Sequence, residues 1–567
     1  MNQSIARLAA TLTVLVALTT EASGQTPVPS TQSPVPSMSG RSTVYAPHGV
    51  IATSQPLATA AGLHVMQNGG NAIDAAVVAA AVLNLVEPHM TGIGGDMFAI
   101  FWSARDRKLV GLNASGRSGS LMTRAELVKR GHTRVPPFGP EAVTVPGALS
   151  GWAVLLEKYG TLTLAQALAP AIRLAEEGFP VTPIIAQQWA GEVERLARDE
   201  GAKATYLIDG TRAPRAGEWF RNPDLAKTFR QIAVSGPQAL YGGELGAKMV
   251  ERLKALGGLL TLPDLANHKP EWVAPISARY KGKTVYELGA ANQGVAVLEM
   301  LRMLEPVDLK AMGHNTPAYL HHLIEAKKLA YADLARWVGD PDAMTTPVER
   351  LLDDRFISVR RALIDPSKAR ARVEPGNAAT ASETIYLAVA DSAGNMVSFI
   401  NSNYEYFGSG IVVPGTGFAL QDRGAGFTMT EGLPNTVAPN KRPFHTLIPA
   451  FVTRPGPGGA EEPWLAFGVM GGAIQAQGHV QVLLNLLEFG MDLQAAIEAP
   501  RFRHYDGLRV ALEVALGDSV RAGLRKLGHT VVVLDSDNAG GSQAVMRLIK
   551  GWAAGSDPRK DGMAAGH

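Results

Sequence analysis

The sequence predicts a layered α/β (α+β) sandwich, on three observations. Residues 150–380 are dominated by helical periodicity with glycine stops. From Thr384 onward the pattern changes to short, alternating apolar strands. One helix, in "IQAQGHVQVLLNLLEFG", interrupts those strands before more follow. Helices segregated from strands along a chain imply sheets covered by helical layers. At 567 residues the chain is also too long for one simple core.

Taken in order, residues 1–24 read as an export signal. Arg7 precedes an apolar run from Leu8 to Leu18, and the small residues Ala22-Ser23-Gly24 precede Gln25. The run is too short for a membrane span. Residues 25–40, "QTPVPSTQSPVPSMSG", are a Pro/Ser-rich linker with little to bury. A periplasmic or secreted protein is expected.

In the next stretch Asn71 is positioned to cap a helix over Ala72–Val86, apolar nearly all round and therefore buried. It carries Asp74 and Asn84 and ends at Pro88, which favours a core helix over a membrane one. "TGIGGD" lacks the Lys-Ser/Thr of a phosphate loop and precedes a strand, so it is a weak nucleotide signal. "MFAIFW" and "KLVGLNAS" predict paired strands. "LAQALAPAIRLAEEGF", "LGAKMVERLKALGG" and "AYLHHLIEAKKLAYADLARWVGDP" predict helices. The adjacent pair His321-His322 points to two faces, which does not match the spacing of two metal ligands on a helix. "TIYLAVAD" and "NMVSFINS" flank the turn "SAGN" as a hairpin. "GSGIVVPGTGFAL" predicts another strand, and "PWLAFGVMGGA" a strand running into Gly471-Gly472. "LRVALEVAL" and "TVVVLD" predict two more, and the tail "GWAAGSDPRKDGMAAGH" reads as loose or only pinned down late.

Composition narrows the chemistry. A net charge of +2 gives no pull toward nucleic acid or an anionic membrane. With no cysteine there is no disulfide, thiolate metal site or Cys nucleophile, which leaves Ser, Thr, Lys or a carboxylate. No metal cluster or nucleotide site is apparent, so no cofactor is expected. No Gly-x-Ser-x-Gly elbow stands ahead of a helix. Thr384, opening the hairpin, is either an ordinary β-former or the first residue of a chain that cuts itself. In the second case its hydroxyl, a poor nucleophile, has its own α-amine as base, with a pKa near ~8.

The motifs decide between these readings. "GGNAIDAAVVAAAVLNLVEPH", "GIGGD", "VPGALSGW", "YGTLTLAQALAPAIRLAEEGFPV", "DLANH", "DSAGNMVS", "FGSGI", "KRPFHTLIP", "GVMGGA" and "SDPRKDG" occur in one order. The chain resembles the γ-glutamyltransferase family of N-terminal-nucleophile hydrolases over nearly all of its length after the export signal. The resemblance implies a four-layer αββα sandwich made as a proenzyme. It implies a self-cut between Glu383 and Thr384, with residues 41–383 as large subunit and 384–567 as small subunit. The two would form a heterodimer, possibly paired further. Thr384 would be the nucleophile, Gly471 and Gly472 the oxyanion hole, and Ser402 a hydroxyl that orients Thr384.

The substrate residues depart from the pattern of glutathione-cleaving members. Leu112, in "LVGLNASGRSG", takes the place of the arginine that grips the donor carboxylate. The acidic pair becomes Gly424 to Gly426, behind Asp422 and Arg423, the serine pair becomes His445-Thr446, and an asparagine becomes Tyr404. These segments resemble the branch that includes oxamate amidohydrolase. Arg117, Asn113, Tyr404, Arg423, His445 and Thr446 are therefore expected to line an acyl pocket suited to a γ-glutamyl, glutaryl or oxamyl amide. The function the resemblance implies is that of a self-processing amidohydrolase/acyltransferase that cleaves γ-glutamyl-type, glutathione-like amides through an acyl-Thr intermediate. The alternatives are an oxamate- or glutaryl-type hydrolase with little transfer, and an exported binding protein without catalysis.

Overall fold

A computed structural model describes residues 40–289, 291–373 and 383–567. The segments expected to be an export signal and, up to residue 39, a linker lie outside these residues. Two seven-stranded sheets organise the chain. Their strands are β1 (Val44–Ala46), β2 (Val50–Thr53), β3 (Asp96–Ser103), β4 (Lys108–Ala114), β5 (Glu271–Val273), β6 (Ile276–Tyr280) and β7 (Lys283–Glu287). They continue with β8 (Glu383–Ala390), β9 (Met396–Tyr404), β10 (Ala450–Pro455), β11 (Glu461–Met470), β12 (Gly541–Arg547), β13 (Trp552–Ser556) and β14 (Met563–Gly566). One sheet runs β1-β13-β12-β11-β10-β7-β6 and the other β14-β2-β8-β9-β3-β4-β5.

Side-chain alternation stacks the layers, because successive residues of a strand point to opposite faces. In β8, Tyr386, Ala388 and Ala390 join a core between the sheets, with Phe98, Ile400, Phe451, Ala466 and Met470. Ile385, Leu387 and Val389 face the other way, onto the helices α1 (Ala72–Val86), α2 (Ala148–Tyr159) and α3 (Leu164–Glu177). In β11, Leu465, Phe467 and Val469 meet α4 (Gly294–Leu304), α5 (Pro317–Trp337) and α6 (Ile474–Leu487). The order helix, sheet, sheet, helix is the expected four-layer sandwich. α1 begins and ends where the sequence predicts, and every residue in it is buried. Asn71 accepts from the Ile73 and Asp74 N–H groups while Asp74 accepts from the Asn71 N–H, a closed capping box.

Three expectations are corrected. "GSGIVVPGTGFAL" forms no strand: Val412 and Ala419 make one isolated bridge, and Gly415 and Gly417, at φ +77° and +76°, turn the chain back between them. "LRVALEVAL" is a strand only over Arg509–Leu512 and then winds into a 3-10 turn. The tail is not loose. β13 sits inside one sheet and β14 edges the other. Between them Asp557 is buried and accepts from Arg501 Nη2 at 2.7 Å and the Ser542 N–H at 2.9 Å. The largely helical region also contains β5 to β7, which complete both sheets.

Candidate active site

Thr384 is the second residue of β8, where the register with β9 slips. Glu383 pairs with Tyr404 and Ile385 with Asn401. Such a bulge re-aims a side chain at a strand end. The buried Thr384 hydroxyl donates to Ser402 Oγ at 3.2 Å and lies 3.4 Å from the donor Gln475 Nε2. Ser402 Oγ also accepts from the Tyr404 N–H at 2.8 Å. Gln475, near the start of α6, is itself fixed by the Ile448 N–H, which donates to its Oε1 at 3.2 Å. The "TGIGGD" loop passes behind this cluster. A Cβ on Gly95 would stand 2.3 Å from the Ser402 carbonyl oxygen, so its glycine serves close backbone approach.

β11 ends at Met470 and runs into Gly471 and Gly472, at φ +119° and +65°. Only glycine adopts such angles without strain. Neither N–H makes a hydrogen bond among the described residues. The turn is held from behind. Gln293 Nε2 donates to the carbonyls of Gly472 (2.9 Å) and Thr446 (2.7 Å). The Tyr331 hydroxyl stands 3.0 Å from Gln293 Oε1 and 2.6 Å from the Ala473 carbonyl.

Beyond Tyr404 lies a buried group of charges. The Arg423 guanidinium stacks 4.2 Å over the Tyr404 ring and donates through Nη1 to Thr446 Oγ1 at 3.3 Å. Its Nε is 4.0 Å from Asp96 Oδ2, and Nε and Nη2 have no hydrogen-bond partner among the described residues. Tyr404 holds φ +83°, a strained value for a residue with a Cβ, and such strain concentrates at functional sites. Burial raises Asp96 to about 7, against the pull of Arg423 and the N–H groups of Gly116 and Gly147. Burial likewise raises Asp422 to about 7. His445 Nε2 lies 3.9 Å from Asp96 Oδ2. Burial, then Arg423 and Arg442, hold its ring well below the ordinary histidine range and neutral.

The structure thus gathers Thr384, Ser402, Gly471 and Gly472, and beside them Tyr404, Arg423, His445 and Thr446. Arg117 is engaged elsewhere, with Asp340 (2.9 Å), Asp342 (3.2 Å) and Glu271 (3.6 Å). Asn113 uses its side-chain oxygen on the N–H and hydroxyl of Ser115. The expectation for Leu112 is corrected by strand alternation. Leu112 packs in the helix-facing core, whereas Asn113 pairs directly with Phe98 and so shares the inter-sheet face, where Phe98 meets His445 edge-on. Sequence reasoning missed Gln475, Gln293, Tyr331 and Asp96. For Asp96 a signal existed, a carboxylate directly after a glycine run and at the head of an apolar strand.

One group outside this site has metal-ligating types. His321, Glu325 and His529 bring ligand atoms within 4.8 Å of one another. Lys328 Nζ already lies 2.7 Å from Glu325 Oε1, so a positive charge occupies that position.

A sequence profile of the gamma-glutamyltranspeptidase family matches residues 58–567. A glutathione hydrolase-like YwrD proenzyme of Bacillus subtilis is 37% identical over 528 residues, 91% of this chain and 98% of that protein. An oxamate amidohydrolase proenzyme of Klebsiella pneumoniae is 34% identical over 536 residues, 92% and 98% of the two chains. The crystal structure of a cephalosporin acylase from Bacillus halodurans superposes with a TM-score of 0.88 at 41% identity, covering 95% of this chain and 98% of the acylase.

Proposed function

The chain belongs to the γ-glutamyltranspeptidase family, and from that premise we propose that it cuts itself before Thr384 and then cleaves amides whose acyl group ends in a carboxylate. In the self-cut, Thr384 Oγ adds to the Glu383 carbonyl and the peptide nitrogen leaves, giving an ester. Water hydrolyses that ester to a Glu383 carboxylate and a free Thr384 α-amine. That amine takes the hydroxyl proton as Oγ attacks the substrate amide. The N–H groups of Gly471 and Gly472 receive the developing oxyanion, a role supported by their lack of other partners. Ser402 and Gln475 hold Oγ in line. The proton passes to the departing amine, and water then releases the acyl group from Thr384.

The relatives' names span glutathione, oxamate and cephalosporin, so the scaffold alone does not choose the acyl group. The observation that carries the choice is Arg423: fully buried, stacked on Tyr404, with Nε and Nη2 lacking hydrogen-bond partners among the described residues. A carboxylate fills that need with charge-assisted bonds. A second feature favours a γ-glutamyl over a plain glutaryl group. Asp96 Oδ2 and Asp422 Oδ2 lack hydrogen-bond partners among the described residues, which suits an ammonium on the same acyl chain. We further propose export, which rests on residues 1–24, and a two-chain enzyme after cleavage. Among the described residues no helix is long and apolar enough to cross a membrane. The test is a set of 4-nitroanilides: γ-glutamyl, glutaryl and butyryl. The reading requires both carboxylated acyl groups to be cleaved well ahead of butyryl, and equal rates would refute it.

A further inference from the structure

A turn of two glycines does not hold itself. Gly471 and Gly472 have no side chain to pack, and glycine reaches more of backbone space than any other residue. The β11 ladder ends at Met470, paired with Gly541, and α6 begins only at Ile474. The direction of the two N–H groups is therefore set by what grips the turn from outside.

The Gly472 carbonyl accepts two hydrogen bonds. One, from the Gln475 N–H at 3.0 Å, lies within the turn and moves with it. The other, from Gln293 Nε2 at 2.9 Å, comes from 179 positions away in sequence. The next carbonyl, that of Ala473, accepts from the Tyr331 hydroxyl at 2.6 Å.

Gln293 is itself fixed. It is buried and stands directly before α4. Its Nε2 has two protons and both are used, on Gly472 and on the Thr446 carbonyl at 2.7 Å. Its Oε1 faces the Tyr331 hydroxyl at 3.0 Å. A flipped carboxamide would set an oxygen against two carbonyl oxygens, so one orientation alone is satisfied. The backbone leading to it is strained, with buried Ala291 at φ +58°. The Ala291 N–H donates to the Gly339 carbonyl at 3.0 Å, and its carbonyl accepts from the His445 N–H at 2.6 Å. Strain held in this way by its surroundings concentrates at functional sites.

We infer that Gln293 is a positioning residue for the oxyanion donors, acting through the Gly472 carbonyl and not on the substrate. This rests on the acyl-transfer reading of Thr384 and the glycine turn given above.

The test uses self-cleaved protein, checked by intact mass, and the γ-glutamyl, glutaryl and butyryl 4-nitroanilides. Gln293→Met keeps the length and removes both donors. Its kcat should fall on the order of tenfold on all three amides with KM unchanged, since misaligning an oxyanion donor costs less than deleting one. Gln293→Glu keeps the shape but offers a proton only while its carboxyl is protonated. Its kcat relative to wild type should therefore fall as pH rises, because the carboxylate then faces two carbonyl oxygens. Tyr331→Phe should give a smaller loss of the same shape, and it carries the test if the Gln293 variants fail to fold or to cut themselves. Wild-type kcat in these variants, a loss confined to KM or to the carboxylated acyl groups, or a deficit in Gln293→Glu that ignores pH would overturn the inference. A wild type inert on all three amides would instead sink the acyl-transfer reading, and the inference with it. Each variant is compared with wild type on the same amide, so the outcome does not turn on which acyl group is preferred.

Discussion

Two neighbouring regions of this molecule are built on different physics. Among the described residues the hydrogen bonds that fix the Thr384 hydroxyl are neutral: the Ser402 hydroxyl and the Gln475 carboxamide, with backbone groups at a bulge and a glycine turn beside them. Around Arg423 the contacts are charges taken wholly out of water, with Asp96 and Asp422 driven up to about 7 and His445 held neutral. The first arrangement keeps its geometry whatever acyl group arrives, because hydrogen bonds and glycine angles fix it. The second is sensitive to what enters, because each buried charge is stabilised or stranded by its neighbours. Chemistry is thereby separated from selectivity.

Substitutions test that separation. Thr384→Ala should abolish the self-cut and lower amide cleavage by about 10⁴-fold or more, since one residue supplies both nucleophile and base. Intact mass and anilide assays read this, and a cleaved, active variant would collapse the distinction. Arg423→Met should leave self-cleavage intact and remove about 2–5 kcal/mol of preference for carboxylated over butyryl substrates. A uniform loss on all substrates would show Arg423 to belong to the chemistry. Gly471→Ala should do the reverse. Its Cβ would meet Ile474 Cγ2 at 2.6 Å in a left-handed conformation, displacing an oxyanion donor. kcat should fall by about 10²–10³ on every acyl group alike.

The smallest effect is on stability. Asp96 has a folded pKa raised above its unfolded value, so the native state holds the proton more tightly. Its contribution is present below about pH 4 and is lost as pH rises toward 7. Asp96→Asn keeps an oxygen for the Gly116 and Gly147 N–H groups while removing the titration. The Tm difference, variant minus wild type, should therefore grow from pH 4 to pH 7 and then level off. A difference that stays constant would mean Asp96 is ionised throughout.

The same contrast explains what the sequence revealed. The hairpin, the strand into Gly471-Gly472 and the capped helix at Ala72–Val86 are local patterns, and they were legible, the helix to the residue and the strands but for their ends. The nucleophile could be singled out only because it stands among motifs of fixed order. The polar groups that hold it were not legible: Gln475 reads as one more polar residue on a helix, and Gln293 acts across 153 and 179 positions of sequence. Arg117 and Arg423 are indistinguishable as letters. Only folding shows that three carboxylates take the first, while Nε and Nη2 of the second have no hydrogen-bond partner among the described residues. The tail misled for the same reason, since the partners of Asp557 lie 56 and 15 residues back.

The most direct measurement is the intact mass of purified protein with N-terminal sequencing of each chain, beside Thr384→Ala. Wild type should give two chains, the smaller beginning Thr384-Ile385-Tyr386, and the variant one chain uncut before residue 384. An uncut wild type that still hydrolyses amides, or a smaller chain beginning at any residue other than Thr384, would contradict the account.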